Sequence, residues 1–249
     1  MRLAVRHIAV LALFAAAPLA AQVGVSADDI SAYRALMLTP VGALPPIATS
    51  TITGEVQSGV AFAVRYGYVG GGDNLSSLNN FGATAILPFG IGTTVSLTGG
   101  VAAISNGSSS LMLSIGGDTR ITSLPFGSAG GSRLGIGLNG ELGYGKPREN
   151  DIDEHVVSLA VGLPLSLLPG TMARDAMRIV PWVTPAFGYG NETFDDGVNQ
   201  TFSGSRFMIG GGLGFYNPSS SFSFSVGVQY VSIANAQLEV GGNVVLGGR

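Results

Sequence analysis

The chain has 249 residues, of which 46% are hydrophobic, only 11% are charged and 39 are glycine. This composition is too apolar and too poor in charge for a disordered chain, and the length suits one barrel or sandwich domain. The formal net charge of −3 comes without a basic patch, so nucleic acid is not a predicted partner, and the lack of cysteine excludes a disulfide framework.

The N-terminus carries the pattern of a secretory signal peptide. Arg2 and Arg6 precede an apolar stretch over residues 8–17, and small residues follow it. Cleavage is predicted after Ala20 or Ala21. An uncleaved anchor is the alternative, but the apolar stretch is short for a membrane span, which needs about 20 residues.

Residues 22–50, which follow the signal peptide (1–21), form a segment that does not show the strand pattern of the rest of the chain. Ser26 suits a helix start, Tyr33 and Met37 fall on one face at helical spacing, and prolines follow. The segment is predicted to be periplasmic, as a frayed leader or an arm. A plug inside a barrel is the alternative function.

From Ser50 onward the hydrophobic period changes to two. Large apolar residues such as Phe62 and Val64 alternate with small or polar ones. The pattern predicts ten strands, centred on residues 58–68, 81–87, 95–101, 111–115, 134–144, 157–163, 179–189, 207–215, 222–230 and 238–246. Because a lipid-exposed backbone must pair its own polar groups, the predicted fold over residues 51–249 is all-β, an antiparallel up-and-down transmembrane barrel of about ten strands, with eight as the alternative.

The connections separate a membrane barrel from a soluble sandwich, whose strands would alternate in the same way. Short turns built on proline alternate in chain order with mostly longer, polar loops, as expected of periplasmic turns and outside loops. The proline turns lie at residues 87–90, 124–127, 168–170 and 217–219. The polar connections lie at residues 70–80, 105–110, 145–154, 190–205 and 233–237.

Aromatic residues collect near the strand ends, as two girdles at the membrane interfaces would require. The predicted outer girdle comprises Tyr66, Tyr68, Phe81, Tyr144, Phe187, Tyr189, Phe207 and Tyr230. The predicted inner girdle comprises Phe89, Phe126, Phe215, Tyr216 and Phe222. The alternation along its strand does not show which face Trp182 lies on, and it is predicted to lie in a core or at an interface.

The strand faces opposite the apolar ones carry charged side chains. They are Glu55, Arg65, Asp118, Arg120, Arg133, Glu141, Arg206 and Glu239. An arginine facing lipid at mid-depth costs about 2–4 kcal/mol, so these side chains are predicted to face the lumen. Their balanced charge predicts ion pairs across a narrow lumen, and a charged constriction that selects solutes is the alternative.

No catalytic residue, metal site or cofactor is predicted. His155 is the histidine left in the mature chain, and by strand parity it faces outward whereas Ser158 faces inward. The acids around it, from Asp151 to Glu154, and the pair Asp195-Asp196 are predicted to form a solvated outer surface. Weak divalent-cation binding and a protease-like site are the alternatives.

The signal peptide, glycine-rich alternating strands, aromatic girdles and short turns resemble the small outer-membrane β-barrel proteins of Gram-negative bacteria, the OmpX/OmpW/opacity-type group. The resemblance covers Ser50 to Leu246. Members of that group usually end in an aromatic residue, whereas this chain ends Val244 to Arg249 without one. The closing strand is therefore either 238–246 or the Phe222–Tyr230 strand.

The resemblance implies an outer-membrane location, with membrane lipid and the barrel-assembly machinery as partners. The predicted function is a structural envelope protein or a passive small-solute channel with a narrow, polar, charge-balanced lumen. A surface-loop adhesin or ligand-binding barrel is the alternative, and a barrel hydrolase is a weaker one. Neither the solute nor a surface ligand is identified by the sequence.

Overall fold

The fold is described by a computed structural model. It covers residues 26–43, 59–70, 77–105, 108–126, 131–149, 152–170, 176–195, 199–217, 219–220, 222–232 and 238–247. The predicted signal peptide lies outside the described residues. Among the described residues, no helix is long and apolar enough to cross a membrane.

Two helices precede the strands, α1 (Ala27–Met37) and α2 (Pro40–Ala43). The strands in chain order are β1 (Ala61–Val69), β2 (Leu78–Pro88), β3 (Thr93–Ile104), β4 (Ser109–Pro125), β5 (Arg133–Glu149), β6 (Ile152–Gly162), β7 (Leu165–Leu168), β8 (Arg178–Asp195), β9 (Asn199–Tyr216), β10 (Phe222–Val231) and β11 (Leu238–Gly247).

The strands pair antiparallel in chain order, and the pairings form a closed ring. β1 pairs with both β2 and β11, and β4 pairs with both β3 and β5. β6 and β7 lie end to end between β5 and β8, separated by Leu163 and Pro164, so the two act as one strand of the ring. The prediction of about ten strands is confirmed. The closing strand is β11, because it pairs with both β10 and β1.

Two ends of the barrel are distinguished below. At the loop end, β1–β2, β3–β4, β5–β6, β8–β9 and β10–β11 are connected, and at the turn end the other hairpins are connected. β1 begins at the turn end and β11 finishes there, since Ala61 pairs with Gly247.

The outward face of the ring is apolar. Along β1 the side chains of Phe62 and Val64 are exposed, while Ala61 and Ala63 between them are buried. The same alternation exposes Leu111, Leu113 and Ile115 on β4 and Val157, Leu159 and Val161 on β6. A continuous exposed apolar belt is unfavourable in water and is typical of a lipid-facing surface.

Aromatic side chains lie on the outward face toward both ends. Tyr66 packs on Phe81 with ring centroids 5.0 Å apart toward the loop end. Phe89 and Phe222 are exposed toward the turn end. Tyr216 is an exception to the predicted girdle. It is buried on the inward side in a cluster that includes Trp182, because strand parity turns it into the lumen, where Arg178 donates to its hydroxyl over 3.4 Å.

Two of the predicted long loops are strand instead. β5 extends to Glu149 and β6 starts at Ile152, and the β8–β9 hairpin continues to Asp195 and Asn199. The reason is that beyond the apolar belt an outward side chain no longer needs to be apolar, as with Arg148. The hydrophobic period of two therefore ends before the strand pairing does.

Of the segment predicted to be periplasmic, residues 26–43 are described, and they lie inside the ring. α1 packs chiefly against β8 and β9, and α2 against β5, β3 and β4. Tyr33, Leu36 and Met37 are almost completely buried and form the main core cluster with wall residues such as Met208. Burial of these side chains favours the lumen over the periplasm for this segment. Residues 26–43 are called the plug below.

Candidate functional site: the plug and the cavity below it

The N-terminus of α1 is held by a capping box. The Ser26 hydroxyl accepts a hydrogen bond from the Asp29 backbone N–H at 3.1 Å, and the Ser26 backbone N–H donates to Asp29 Oδ2 at 2.9 Å. Such a reciprocal pair satisfies two of the backbone donors that a helix start leaves open. An isolated helix of 11 residues is still marginal in water, so packing in the lumen must supply most of its stability.

Glycines on the wall make room for the plug. A Cβ atom at Gly190 would overlap the carbonyl oxygen of Ala32, and one at Gly145 would overlap that of Leu38. At Gly188 a Cβ would lie 2.9 Å from a methyl group of Leu36. These contacts are too close for any larger residue, so the helix lies against bare backbone of β5 and β8.

Arg34 joins α1 to two acidic side chains of the wall. Its Nη2 lies 3.2 Å from Glu154 Oε2 and its Nη1 lies 3.3 Å from Glu192 Oε1. The two glutamate side chains are only 3% and 1% exposed. Two buried carboxylates on neighbouring strands repel each other, so the cation that they share favours the docked position of α1.

A second ion pair holds the start of α1. Arg206 of β9 donates to Asp29 Oδ1, so this carboxylate contacts both the helix N-terminus and the wall. The Ser26 backbone N–H lowers the pKa of Asp29 below its ordinary value, and the hydrogen bond and charge of Arg206 lower it further. Asp29 is therefore ionised at neutral pH and both contacts are made.

The C-terminal part of the plug is held by uncharged hydrogen bonds. The hydroxyls of Thr39 and Ser158 are 2.5 Å apart, and the Gln229 side-chain amide donates to the carbonyl oxygen of Gly42 over 3.2 Å. The plug is thus attached by polar contacts to β6, β8, β9 and β10, and on the barrel side each contact is made by a side chain.

Below α2 the lumen contains a cavity of about 100 Å³. Its upper wall includes Val41 of the plug, and its sides carry the charged residues Arg65, Asp118 and Glu141. The other lining residues are mainly small or polar: Thr94, Ser96, Gly116, Gly117, Asn139, Gly140, Ala160, Gly162, Pro164, Thr184, Ala186, Met208, Gly210 and Gln229. A cavity of this size can hold several water molecules or a small solute.

Three of the side chains predicted to face the lumen meet at this cavity. Arg65 Nη1 lies 3.8 Å from Glu141 Oε1 and donates to Thr98 Oγ1 at 3.4 Å. Glu141 also accepts from the Ser114 hydroxyl at 2.5 Å, and Asp118 accepts from the hydroxyl of Thr94.

The other predicted side chains lie elsewhere. Arg120 and Arg133 line a second, more open cavity at the turn end, where Arg133 Nη2 donates to the Ser123 carbonyl at 2.9 Å. Arg206 pairs with the plug. Glu55 lies outside the described residues, and for Glu239 only the backbone is described, opposite Gln229.

Sequence reasoning missed the acids that bind the plug. Glu154 was assigned to a solvated outer surface, but it is buried on the inward face and pairs with Arg34. The alternation of side chains along the strand could have revealed the position of Glu154. Glu154 is four residues from Ser158, so both side chains point to the same, inward face of β6. Of the other acids, Asp153 is exposed and contacts Lys146 and His155.

His155 and Ser158 lie on opposite faces of β6. His155 Nδ1 and the Tyr144 hydroxyl form a hydrogen bond of 2.8 Å, whereas Ser158 is buried against the plug. The two side chains therefore cannot act as a base and a nucleophile on one substrate. Within the described part of the chain, no group of three or more His, Asp or Glu side chains could hold a metal ion.

Solved structures that resemble the chain are outer-membrane β-barrels. The N-terminal β-barrel domain of OprF from Pseudomonas aeruginosa is 12% identical with a TM-score of 0.34, over 77% of this chain and 98% of that one. Ail, the attachment invasion locus protein of Yersinia pestis, is 14% identical with a TM-score of 0.37, over 77% and 97%. The translocator domain of the autotransporter NalP from Neisseria meningitidis is 10% identical with a TM-score of 0.32, over 77% and 88%.

No protein-family model matches the chain, and no curated protein matches it in sequence. At these identities and TM-scores, the likeness says nothing of what the chain binds or transports.

Proposed function

We propose that this chain is an outer-membrane barrel that is closed by its own N-terminal plug and passes small polar solutes when the plug leaves the lumen. The observation that carries the proposal is the arrangement within the ring. A separate helical segment, joined to the wall by polar contacts such as Arg34 to Glu154, lies directly above a cavity in the lumen.

The membrane placement is supported by the outward face. Exposed side chains such as Phe62, Leu113 and Leu159 form an apolar belt, and aromatic residues lie toward both ends of it. Together with the predicted signal peptide, this supports insertion in a bacterial outer membrane, with membrane lipid and the barrel-assembly machinery as partners. In this orientation the loop end faces outside.

The channel role is supported by what fills the lumen. Small barrels usually fill their interior with side chains of the wall itself. Here several inward positions beside the plug are glycines, such as Gly143, Gly188 and Gly190, and residues 26–43 fill the space that these glycines leave. Removal of the plug would open this part of the lumen, whose wall carries apolar side chains such as Val156 and Met208 beside the polar ones. A structural envelope protein is the alternative if the plug never leaves.

Conductance of refolded protein in planar bilayers tests the proposal. The full chain is expected to be closed for most of the time, with brief openings. A chain lacking residues 26–43 is expected to conduct continuously, because the helix no longer occupies the space between β5, β8 and β9.

Heat-modifiable migration on a denaturing gel serves as the control for folding of both chains. A deletion chain that migrates as a folded barrel and does not conduct would contradict the channel role and favour the structural one.

A further inference from the structure

We propose that the second cavity of the lumen, at the turn end, is a binding site for small oxyanions of the phosphate type. The inference deepens the proposed function and rests on it in one respect, because it names the class of solute that would cross the barrel. It depends on the charge of the lumen below the plug, on the convergence of two arginines and on the space that glycines leave between them.

The lumen between the plug and the turn end carries net positive charge. Among the side chains that the structure describes there, two are acidic, Asp118 and Glu141. Four are basic: Arg65, Arg120, Arg133 and Arg178. Four minus two leaves an excess of two positive charges, whichever arginine pairs with each acid. A charge in a narrow protein-lined space is poorly screened by water, so this excess attracts anions.

The excess is concentrated at the turn end. Both acids lie nearer the loop end, since Asp118 precedes Arg120 on β4 and Glu141 follows Arg133 on β5. The cavity at the turn end is lined by Arg120, Thr122, Ser123, Arg133 and Leu168. Two of these five residues carry guanidinium groups, two carry hydroxyls and none carries a carboxylate. Guanidinium and hydroxyl groups are the donors that bind the oxygens of phosphate.

Strand register brings the two guanidinium groups together. Arg133 lies opposite Pro125 across the β4–β5 hairpin. Its Nη2 donates to the Ser123 carbonyl oxygen at 2.9 Å, so the guanidinium leans toward Arg120. The register of β4 shifts between Arg120 and Thr122, and this bulge places Ser123 on the same inward face as Arg120. Two planar guanidinium groups at one cavity can each donate paired N–H groups to a single phosphate.

Glycines of β5 leave the space between the two arginines open. The inward positions that follow Arg133 on this strand are Gly135 and Gly137. A Cβ atom at Gly135 would overlap the Ser166 hydroxyl oxygen and lie 3.4 Å from a methyl group of Leu168, which lines the cavity. A larger residue would therefore disturb the cavity wall. The cavity volume of about 470 Å³ accepts a phosphate ion together with several water molecules.

The position of the cavity selects a dissolved anion over a lipid headgroup. Its arginines lie on the inward face of β4 and β5, whereas lipid contacts the outward face, where Ile121 and Leu124 are exposed. The ligand therefore enters through the turn end, which faces the periplasm in the proposed orientation.

Isothermal titration calorimetry of the refolded full chain in a non-ionic detergent tests the site. The chain is titrated at constant ionic strength with sodium phosphate and, separately, with methylammonium chloride. We expect saturable binding of phosphate and no binding of methylammonium. The detergent contains no phospholipid, so saturable binding identifies the dissolved ion as sufficient.

Arginine variants assign the binding to the cavity. Arg133→Gln and Arg120→Gln are each expected to weaken phosphate binding about tenfold or more, since each removes charge-assisted donors. Arg133 is exposed, so its variant keeps the test available even if Arg120→Gln fails to fold. Arg148→Gln removes an exposed arginine from the outer face of β5 and is the matched control, which should bind phosphate as the unaltered chain does.

Three results would overturn the site: no saturable binding of phosphate, equal binding of methylammonium, or the same phosphate affinity in the Arg120→Gln and Arg133→Gln chains as in the Arg148→Gln chain. The titration needs no open channel, so its failure leaves the proposed channel role standing. Conversely, a barrel that binds phosphate but never conducts would refute the channel role and keep the site.

Discussion

Arg34 of the luminal helix lies between two wall carboxylates, with its Nη2 3.2 Å from Glu154 and its Nη1 3.3 Å from Glu192. Neither glutamate is accessible to solvent to any useful extent. The plug therefore supplies a cation that the two wall carboxylates share. In the proposed channel, the docking equilibrium of the plug therefore depends on charge as well as on packing.

Replacement of Arg34 should shift that equilibrium toward the open state. Arg34→Gln leaves Glu154 and Glu192 buried without their shared cation, which costs on the order of 2 kcal/mol or more. Open probability in planar bilayers is expected to rise by about tenfold or more. Arg148→Gln, on the outer face of β5, is the control and should leave the open probability unchanged.

A compensating variant separates electrostatics from packing. With Glu154→Gln and Glu192→Gln added, the Arg34→Gln chain no longer buries unpaired charge and is expected to regain much of the closed population. If the triple variant opens as much as Arg34→Gln alone, the ion pairs do not hold the plug.

Filling the space beside the helix should displace the plug sterically. Gly190→Val places a side chain where the Ala32 carbonyl oxygen lies, so α1 cannot dock against β8. Continuous conductance with heat-modifiable migration retained is the expected result. Gly99→Val is the matched control. A Cβ at Gly99 would lie 3.7 Å from Leu113 on the outward face, an ordinary contact.

Acidification should loosen the start of the plug. The Ser26 backbone N–H and Arg206 hold the pKa of Asp29 below its ordinary value in the docked state. A lowered pKa means that docking is favoured above the ordinary pKa and that this contribution is lost as the pH falls through the lowered one. Openings are therefore expected to increase below about pH 4 and not between pH 5 and 8.

Asp29→Asn tests the assignment of that pH dependence. The variant should open more often at neutral pH and show a smaller rise on acidification, because the carboxylate that binds Arg206 is absent. Asp28→Asn, on an exposed neighbour in the same helical turn, should keep the original profile. An unchanged profile for Asp29→Asn would contradict the assignment.

The direction of α1 predicts where the mature N-terminus emerges. Ala32 lies beside Gly190 and Leu36 beside Gly188, so the start of the helix is nearer the loop end of β8. An epitope inserted before Ser26 should bind antibody on intact cells. An epitope within residues 169–177, at the turn end, should bind only after permeabilisation. The reverse pattern would contradict either the membrane orientation or the direction of the helix.

The barrel could be predicted from the sequence because the pattern that specifies it lies within each strand. Each strand alternates apolar and small or polar residues, as in Phe62 and Val64 of β1, and a closed ring follows once those strands must lie in lipid. The extent of β5, β6, β8 and β9 could not be predicted, since beyond the apolar belt pairing continues without a hydrophobic pattern.

The site could be predicted only in part because its contacts join distant positions. Parity places Arg206 in the lumen, but its partner Asp29 lies 177 residues away in a segment with no strand pattern. Inward glycines such as Gly145 and Gly190 are equally compatible with water and with a helix. Only the packed fold shows that a helix fills the space.

A reversible crosslink between plug and wall tests the central claim most directly. The chain has no cysteine of its own, and a Cβ at Gly204 would lie 3.2 Å from that of Ala32, near the separation that a disulfide needs. The Ala32→Cys, Gly204→Cys chain is expected to form the crosslink, to stay closed in a planar bilayer when oxidised, and to open after reduction. The conductance of each single-cysteine chain should not change when the reductant is added. A crosslinked chain that conducts as well as its reduced form would contradict closure of the barrel by its own helix.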